Sequence, residues 1–191
     1  MLKIQHRVNT IEQLVDTPKN YGVEVDIRYE KNDLILHHDP YQKGILFSEW
    51  LENYNHTFII LNTKSEGLEA KILQLLGQFN IEDYFFLDLS IPFMVKQIKN
   101  ANSNIAVRFS EYEPLELAMS FKGLVKWVWV DCFSKLPLDH NTYNKLKSQF
   151  KICLVSPELQ GHPYEFINQY TSQVKGMEID AVCTKKPELW S

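Results

Sequence analysis

The sequence predicts an α/β protein, a compact (β/α)₈ barrel with a short extra hairpin after the second strand. Three observations predict it: eight short apolar runs, helical patterns between them, and polar side chains where each run ends. Strands alternating with helices are typical of a parallel sheet covered by helices. With 191 residues the chain is shorter than the usual barrel of roughly 250 residues. We therefore expect short loops and one domain over residues 1–191.

The strands are predicted from short runs rich in β-branched and aromatic side chains. Most are continuously apolar, as in parallel strands with both faces covered. They cover residues 2–5, 23–28, 57–61, 84–87, 105–109, 125–130, 152–155 and 178–182. After the second run, turn residues at 31–33 and the extended run 34–37 predict the extra hairpin.

Helices are predicted in the gaps between the strands. The clearest pattern is one apolar stripe made of Leu68, Ile72, Leu75, Leu76 and Phe79. Ser90 is the predicted N-cap of the next helix, with Pro92 in its first turn. Weaker patterns predict helices over 10–15, 47–54, 114–121, 140–150 and 164–174. A doubly wound open sheet is the alternative fold, but no glycine-rich nucleotide-binding motif follows any strand.

Composition excludes several classes of protein. The formal net charge is −4, without a Lys/Arg-rich run, so we expect no nucleic-acid partner. No apolar run approaches the roughly 20 residues of a membrane span, and the first residues lack the apolar core of a signal peptide. Three widely spaced cysteines, Cys132, Cys153 and Cys183, favour reduced thiols and a cytoplasmic location.

The second strand carries the clearest chemical signal. Glu24, Asp26 and Arg28 alternate with aliphatic residues, so the three charged side chains share one face of the strand. Two carboxylates on one face suit a hard divalent cation such as Mg²⁺ or Ca²⁺. The same pattern also fits a salt bridge to Arg28, or an edge strand that is half exposed.

Ionisable residues also close the other strands, and the carboxyl ends of barrel strands are where such enzymes have their active sites. A histidine next to acidic groups, as in His37-His38-Asp39 after the hairpin, can act as a general acid or base. The remaining strand-end residues include His6, Arg7, Asn62, Lys64, Asp88, Arg108, Glu111, Asp131, Glu158 and Thr184.

These residues resemble a known signature, that of the glycerophosphodiester phosphodiesterases. The segment 22–40, GVEVDIRYEKNDLILHHDP, has that family's acidic-x-acidic strand, turn and His-Asp-Pro. His6-Arg7 resembles the His-Arg-Gly of its first strand, and Asn62-Thr63-Lys64 its Glu-x-Lys. Residues 184–187, TKKP, are similar to its Thr-Asp-x-Pro. The matches run in order from position 6 to position 187.

The resemblance implies a phospholipase-C-like TIM barrel that hydrolyses a small glycerol- or sugar-linked phosphodiester with a divalent cation, Mg²⁺ or Ca²⁺. It implies that Glu24, Asp26 and Asn62 bind the metal. It implies acid/base roles for His6 and His38, and phosphate binding by Arg7 and Lys64. Residues on later strands are candidates for binding the rest of the substrate: Arg108, Glu111, Asp131 and Glu158.

Two departures from the family pattern leave other functions open. Asn62 replaces a metal-binding Glu, which removes one negative charge that Asp88, Asp131 or Glu158 could supply, and Val8 replaces a Gly. The first alternative is an inactive barrel that binds a phosphorylated ligand or partner. The second is an aldolase or isomerase with Lys64 as a Schiff-base lysine, which leaves the two carboxylates and His38 unexplained.

Overall fold

A computed structural model describes residues 1–190. Its ten strands are β1 (Leu2–Gln5), β2 (Gly22–Glu30), β3 (Asp33–Leu36), β4 (Ile45–Leu46), β5 (Phe58–Thr63), β6 (Tyr84–Leu87), β7 (Ala106–Phe109), β8 (Trp127–Val130), β9 (Lys151–Val155) and β10 (Ala181–Thr184). Its seven α-helices are α1 (Ile11–Asp16), α2 (Phe47–Leu51), α3 (Glu69–Gln78), α4 (Ile91–Lys99), α5 (Leu115–Met119), α6 (His140–Lys147) and α7 (Glu165–Gln173). Short 3₁₀ helices cover Pro157–Gln160 and Pro187–Leu189.

The chain divides into two compact units. The N-terminal unit comprises residues 6–102, and the C-terminal unit comprises residues 1–5 together with the chain from residue 103 onward. The single domain expected from the length stays a prediction. The two units are described separately.

The sheet of the N-terminal unit has the strand order β4-β3-β2-β5-β6. Strand β5 lies parallel to both β2 and β6, with Asp26 opposite Asn62. Strands β2 and β3 are antiparallel and form the extra hairpin. Gly44, directly before β4, has to be a glycine because a Cβ atom there would clash with the carbonyl oxygen of Leu36. The short strand β4 then pairs with β3.

The C-terminal unit contains parallel strands in the order β1-β10-β9-β8-β7. Their aliphatic side chains are buried, including Val128, Ile152, Leu154 and Val182 at 0 % exposure. Strands covered on both faces in this way are typical of α/β proteins. Cys132, Cys153 and Cys183 are also buried, and all three are free thiols.

The strand predictions are confirmed with small shifts of their ends. Strand β5 extends to Thr63 and β10 begins only at Ala181, so Asn62 and Thr184 lie inside strands rather than after them. Strand β4 was not predicted. Helices α2, α5, α6 and α7 are shorter than predicted, and α1 is shifted by one residue.

The helix starts follow local capping chemistry. Thr10 caps α1 through a reciprocal pair of hydrogen bonds with Gln13, which explains why so short a helix forms. Ser90 is the N-cap residue of α4 as predicted, but its side chain makes no capping bond. None of the helices in residues 1–190 combines the length and apolar character needed to cross a lipid bilayer.

Candidate active site

Both faces of β2 are buried along its first half. Glu24 is 1 % exposed and Asp26 is 0 % exposed, and so are the aliphatic residues between and beside them. This finding excludes the half-exposed edge strand as an explanation of the charged alternation. Since buried carboxylates need hydrogen bonds or ionic partners, the partners of these two residues define the site.

Glu24 accepts hydrogen bonds on both of its carboxylate oxygens. The side-chain amide of Asn62 donates to Oε1 at 2.9 Å, and the backbone N–H of Arg7 donates to Oε2 at 2.8 Å. His6 Nε2 lies 3.8 Å from Oε2. Burial raises the pKa of Glu24 from the usual 4.5 to about 7, and the charge of Asp26 adds to this effect. The two hydrogen bonds oppose the rise only in part.

Asp26 is held by an asparagine that sequence reasoning missed. Asn9 Nδ2 donates to Asp26 Oδ2 at 2.8 Å, and Asn9 Oδ1 accepts from the backbone N–H of Asp26 at 2.9 Å. Two cations complete its surroundings: Lys64 Nζ lies 3.3 Å from Oδ1 and Arg7 Nε lies 3.9 Å from Oδ2. The predicted phosphate-binding residues therefore flank this buried carboxylate.

The turn after β1 brings Arg7 to the carboxylates through an unusual backbone conformation. Arg7 has φ of 56°, in the left-handed region, and its N–H points at Glu24. Val8 donates its own N–H to the carbonyl oxygen of Glu24 at 2.8 Å and has no positive φ. The valine that replaces the family's glycine therefore does not strain this turn.

Lys64 follows β5 directly and links two acidic side chains. Its Nζ lies 3.4 Å from Asp88 Oδ2 as well as 3.3 Å from Asp26 Oδ1. Of the three residues considered as sources of the missing charge, Asp88 is the one that the structure connects to Lys64. A cavity of about 360 Å³ opens beside Lys64 and Asp88 and is also lined by Thr63, Ser65, Glu66, Glu69, Leu89, Ser90 and Phe93.

His38 lies in the segment after β3 and is 38 % exposed. Its Nδ1 is 2.7 Å from Asp39 Oδ1, and this hydrogen bond lowers the pKa of Asp39 below the usual 3.8. An ionised Asp39 only accepts hydrogen bonds, so Nδ1 carries the proton and Nε2 is left available for chemistry.

Arg28 forms no ion pair with Glu24 or Asp26, which removes the intrastrand salt bridge as a reading of β2. Its guanidinium instead donates to the backbone carbonyl oxygens of His38 and Lys64. Sequence reasoning placed Arg28 on the charged face of β2 but gave no signal of these contacts, because backbone carbonyl partners leave no trace in residue types.

The donor atoms around Glu24 fit a hard divalent cation with one amide ligand. Asn62 Oδ1 is buried without a hydrogen-bond partner among residues 1–190, next to the carboxylate of Glu24, whose pKa is raised by burial and by the charge of Asp26. Amide and carboxylate oxygens are the ligands that Mg²⁺ and Ca²⁺ take. Within residues 1–190, no group of three His, Cys, Asp or Glu side chains forms a metal site, so a cation at Glu24 and Asp26 would need Asn62 as a third ligand.

Arg108 and Asp131 lie in the C-terminal unit, where they form an ion pair. Arg108 Nη1 lies 2.7 Å from Asp131 Oδ2, and Arg108 Nε lies 3.6 Å from Glu113 Oε1. Asp131 also accepts from Gln160 Nε2 at 2.7 Å and from the backbone N–H of Cys132 at 2.9 Å. These partners of Asp131 all belong to the C-terminal unit.

Glu111 and Glu158 are also engaged within the C-terminal unit. Glu111 accepts from the backbone N–H groups of residues 133–135 and from the Ser134 hydroxyl. Partial burial would raise the pKa of Glu111, but these hydrogen bonds outweigh it and lower the pKa to about 2. Glu158 accepts from Ser156, from Thr184 Oγ1 at 2.6 Å and from the N–H of Lys185 at 2.9 Å. Substrate binding by these residues stays a prediction.

Comparisons with known proteins bear on the fold. No protein-family model matches the chain, and no curated protein matches it significantly in sequence. Among solved structures, a glycerophosphodiester phosphodiesterase from Agrobacterium tumefaciens str. C58 superposes with a TM-score of 0.66 at 12% identity, covering 99% of this chain and 97% of its own. A protein of the same bacterium described as a glycerophosphoryl diester phosphodiesterase gives 0.72 at 12% identity, covering 98% and 94%.

A third similar structure comes from another bacterium. It is a glycerophosphoryl diester phosphodiesterase from Parabacteroides distasonis ATCC 8503, with a TM-score of 0.67, 13% identity, and coverage of 98% of this chain and 84% of that one. At such low identity the likeness speaks for the fold. The resemblance that the motifs predicted is thus confirmed in the structure over nearly the whole chain, whose fold is the TIM barrel of the glycerophosphodiester phosphodiesterases.

Proposed function

We propose that the protein hydrolyses a small glycerol- or sugar-linked phosphodiester, with a divalent cation, Mg²⁺ or Ca²⁺, held by Glu24, Asp26 and Asn62. One observation carries this proposal. Two cationic side chains, Arg7 and Lys64, flank a buried carboxylate at 3.9 and 3.3 Å, in a chain with the fold of phosphodiesterases. This is the charge pattern that an anionic diester and its metal ion require.

Binding of the phosphate falls to Arg7 and Lys64. When bound, the divalent cation supplies Lewis-acid neutralisation of charge on the phosphoryl group. The Arg7 side chain is 42% exposed and can pair with two phosphate oxygens at once. Lys64 is less exposed, at 17%, and acts as a point charge at the inner side of the site. Its two ion pairs suit an ammonium better than the neutral amine that a Schiff base needs.

Proton transfer falls to His38 and His6. The hydrogen bond between His38 Nδ1 and Asp39 leaves Nε2 free to exchange a proton with the substrate. His6 lies beside Glu24, the other carboxylate of the buried pair, with its Nε2 3.8 Å from Glu24 Oε2. One histidine takes the proton from the attacking hydroxyl, which belongs to water or to the substrate itself. The other gives a proton to the leaving alkoxide.

The small size of the substrate is supported by the cavity beside Lys64, whose volume of about 360 Å³ suits a compact alcohol. Among the four predicted substrate residues of the C-terminal unit, Arg108 has its guanidinium partly exposed, at 26%, and its role in substrate binding stays a prediction. The three buried free thiols favour a reducing compartment, and we infer a cytoplasmic location from them.

The test is hydrolysis of a panel of glycerophosphodiesters and sugar-linked phosphodiesters, each with Mg²⁺, Ca²⁺ or Mn²⁺ and with chelator. We expect cation-dependent turnover that falls at least a hundredfold in His38→Ala. The control is His140→Ala, which removes an exposed histidine at the start of α6. Absence of turnover on every diester by folded, cation-loaded protein would contradict the proposal.

A second function is favoured by one contact, the hydrogen bond from Asn62 to Glu24. It satisfies the carboxylate without a cation, as suits a barrel that binds a phosphorylated ligand and does not cleave it. Calorimetry with glycerol 3-phosphate and with an intact diester separates the two functions. Binding of both ligands with no product formed would favour the inactive barrel.

A further inference from the structure

We propose that Arg28 is a positioning residue that fixes His38 relative to Lys64 by holding their backbone carbonyl groups. The inference rests on the proposed function, because it assigns His38 to proton transfer and Lys64 to phosphate binding. Arg28 itself bonds to neither the His38 side chain nor the Lys64 side chain. It acts on the two pieces of backbone that carry them.

The geometry of the contact is specific. Arg28 Nη2 and Nε donate to the carbonyl oxygen of His38 at 2.6 and 3.1 Å, and Nη1 donates to the carbonyl oxygen of Lys64 at 3.3 Å. Within residues 1–190 the guanidinium has no carboxylate partner. Its donors are spent on backbone, which distinguishes it from Arg7, whose side chain is nearer to solvent.

These carbonyl groups need such a partner because each follows the end of a strand. Strand β3 ends at Leu36 and β5 ends at Thr63, and the ladder bonds that hold the last residues are His37 N–H to Asp26 and Lys64 N–H to Ile27. The carbonyl oxygens of His38 and Lys64 follow these two bonds and are not part of the hydrogen-bond ladder of the sheet. Arg28 restores a partner to both at once.

Position 28 allows a single side chain to reach both carbonyl oxygens. It lies two residues after Asp26 on β2, the strand that pairs with β3 on one side and with β5 on the other. An arginine suits the task because its planar guanidinium donates in several fixed directions. A lysine has its three donors on a single nitrogen, so it cannot donate from the separate fixed positions that Nε, Nη1 and Nη2 provide.

The segment that Arg28 holds has few other regular bonds. Residues 37–44 contain no helix or strand, and Tyr41 there is fully exposed with φ of 61°. Without Arg28, the Asp39 hydrogen bond would still orient the ring of His38, but it belongs to the same segment and would move with it. Loss of Arg28 therefore displaces the histidine, whereas Lys64 stays anchored by its N–H bond to Ile27 and by its ion pairs with Asp26 and Asp88.

The experiment compares Arg28→Gln and Arg28→Lys with the wild type and with Lys71→Gln. Lys71 is a matched control, since it contacts Asn32 and Asp33 at the turn of the same hairpin. Turnover on the best diester is measured as kcat and KM, and hydrogen–deuterium exchange is followed for the peptides covering 37–44 and 58–87.

We expect Arg28→Gln to lower kcat at least tenfold with KM changed less than twofold, and to speed exchange in 37–44 alone. Arg28→Lys should recover part of the kcat, and Lys71→Gln should match the wild type. A rise in KM at constant kcat would overturn the proposal, because it would make Arg28 a phosphate ligand. Faster exchange throughout 58–87 would also overturn it, because the role would then be general stability.

The exchange data separate this inference from the proposed function. If the wild type cleaves no diester, the proposed function fails, while local exchange in 37–44 still tests whether Arg28 holds the segment. If the wild type cleaves a diester and Arg28→Gln equals it in kcat and in exchange, the inference about Arg28 alone is wrong.

Discussion

The side-chain amide of Asn62 donates a hydrogen bond of 2.9 Å to Glu24 Oε1, across the parallel pair of β2 and β5. The amide nitrogen therefore faces the carboxylate and the amide oxygen is left buried without a partner. A third carboxylate at this position could not make the same bond to an ionised Glu24. The asparagine thus stabilises the buried acidic pair in a way that the family's glutamate cannot.

The first prediction follows from this contact. Asn62→Asp introduces a third carboxylate of the same shape, so like-charge repulsion should lower the melting temperature in chelator. The rise in melting temperature on adding Mg²⁺ or Ca²⁺ should be larger in the variant than in the wild type. Thermal unfolding with and without cation measures both effects. Asn55→Asp, at an exposed position, is the control for the change in net charge. Equal cation effects in Asn62→Asp and wild type would contradict cation binding at this site.

A second prediction concerns the pH dependence of stability. Burial, helped by the charge of Asp26, raises the folded-state pKa of Glu24 to about 7, above the usual 4.5, so the folded protein binds more protons than the unfolded chain between these values. The free energy of unfolding should then fall as pH rises from 4.5 to 7, by about 3 kcal/mol at about 1.4 kcal/mol per pKa unit.

The matched variant for that measurement is Glu24→Gln, which cannot ionise. Asn62 can turn its amide to suit the new side chain, since its oxygen has no competing partner. Urea unfolding in chelator at several pH values gives the difference in stability between wild type and variant. That difference should shrink or reverse as pH rises, and a difference independent of pH would show that Glu24 is not perturbed.

A third prediction tests the partner of His38. Asp39→Asn keeps an oxygen that accepts from Nδ1 but removes the charge that stabilises the protonated ring, so kcat should fall about tenfold with KM nearly constant. Asp33→Asn is the control, because it removes a charge at the hairpin turn, where Asp33 contacts Lys71. An unchanged kcat in Asp39→Asn would mean that His38 works without this carboxylate.

A fourth prediction concerns the stability of the C-terminal unit. Trp190 is fully buried, and its Nε1 donates to Ser156 Oγ at 2.8 Å. Trp190→Ala should lower the free energy of unfolding by about 4 kcal/mol, and Trp190→Phe should lower it less. The neighbouring Leu189→Ala, at a residue 42% exposed, should cost under about 1 kcal/mol. Chemical denaturation measures the free energy of unfolding of all three variants. Similar losses at positions 189 and 190 would contradict the stabilising role of the buried Trp190 side chain.

The sequence predicted the strands well because continuous apolar runs leave little freedom in where a buried strand lies. It predicted the residues around β2 for the same reason: alternation places Glu24 and Asp26 on one face whatever the loops do. It could not predict Asn9 or the partners of Arg28, since their contacts depend on how a turn closes and on backbone carbonyl groups. Nor could it foresee that Glu111 and Glu158 accept bonds from their own unit.

The proposed site residues have a notable distribution along the chain. His6, Arg7, Glu24, Asp26, His38, Asn62 and Lys64 all belong to the N-terminal unit, residues 6–102. They lie in one uninterrupted segment of the sequence, and a crossover downstream of residue 102 exchanges strands β7 to β10 without separating any of them. Chimaeras of this kind would keep all seven residues together while the later strands vary.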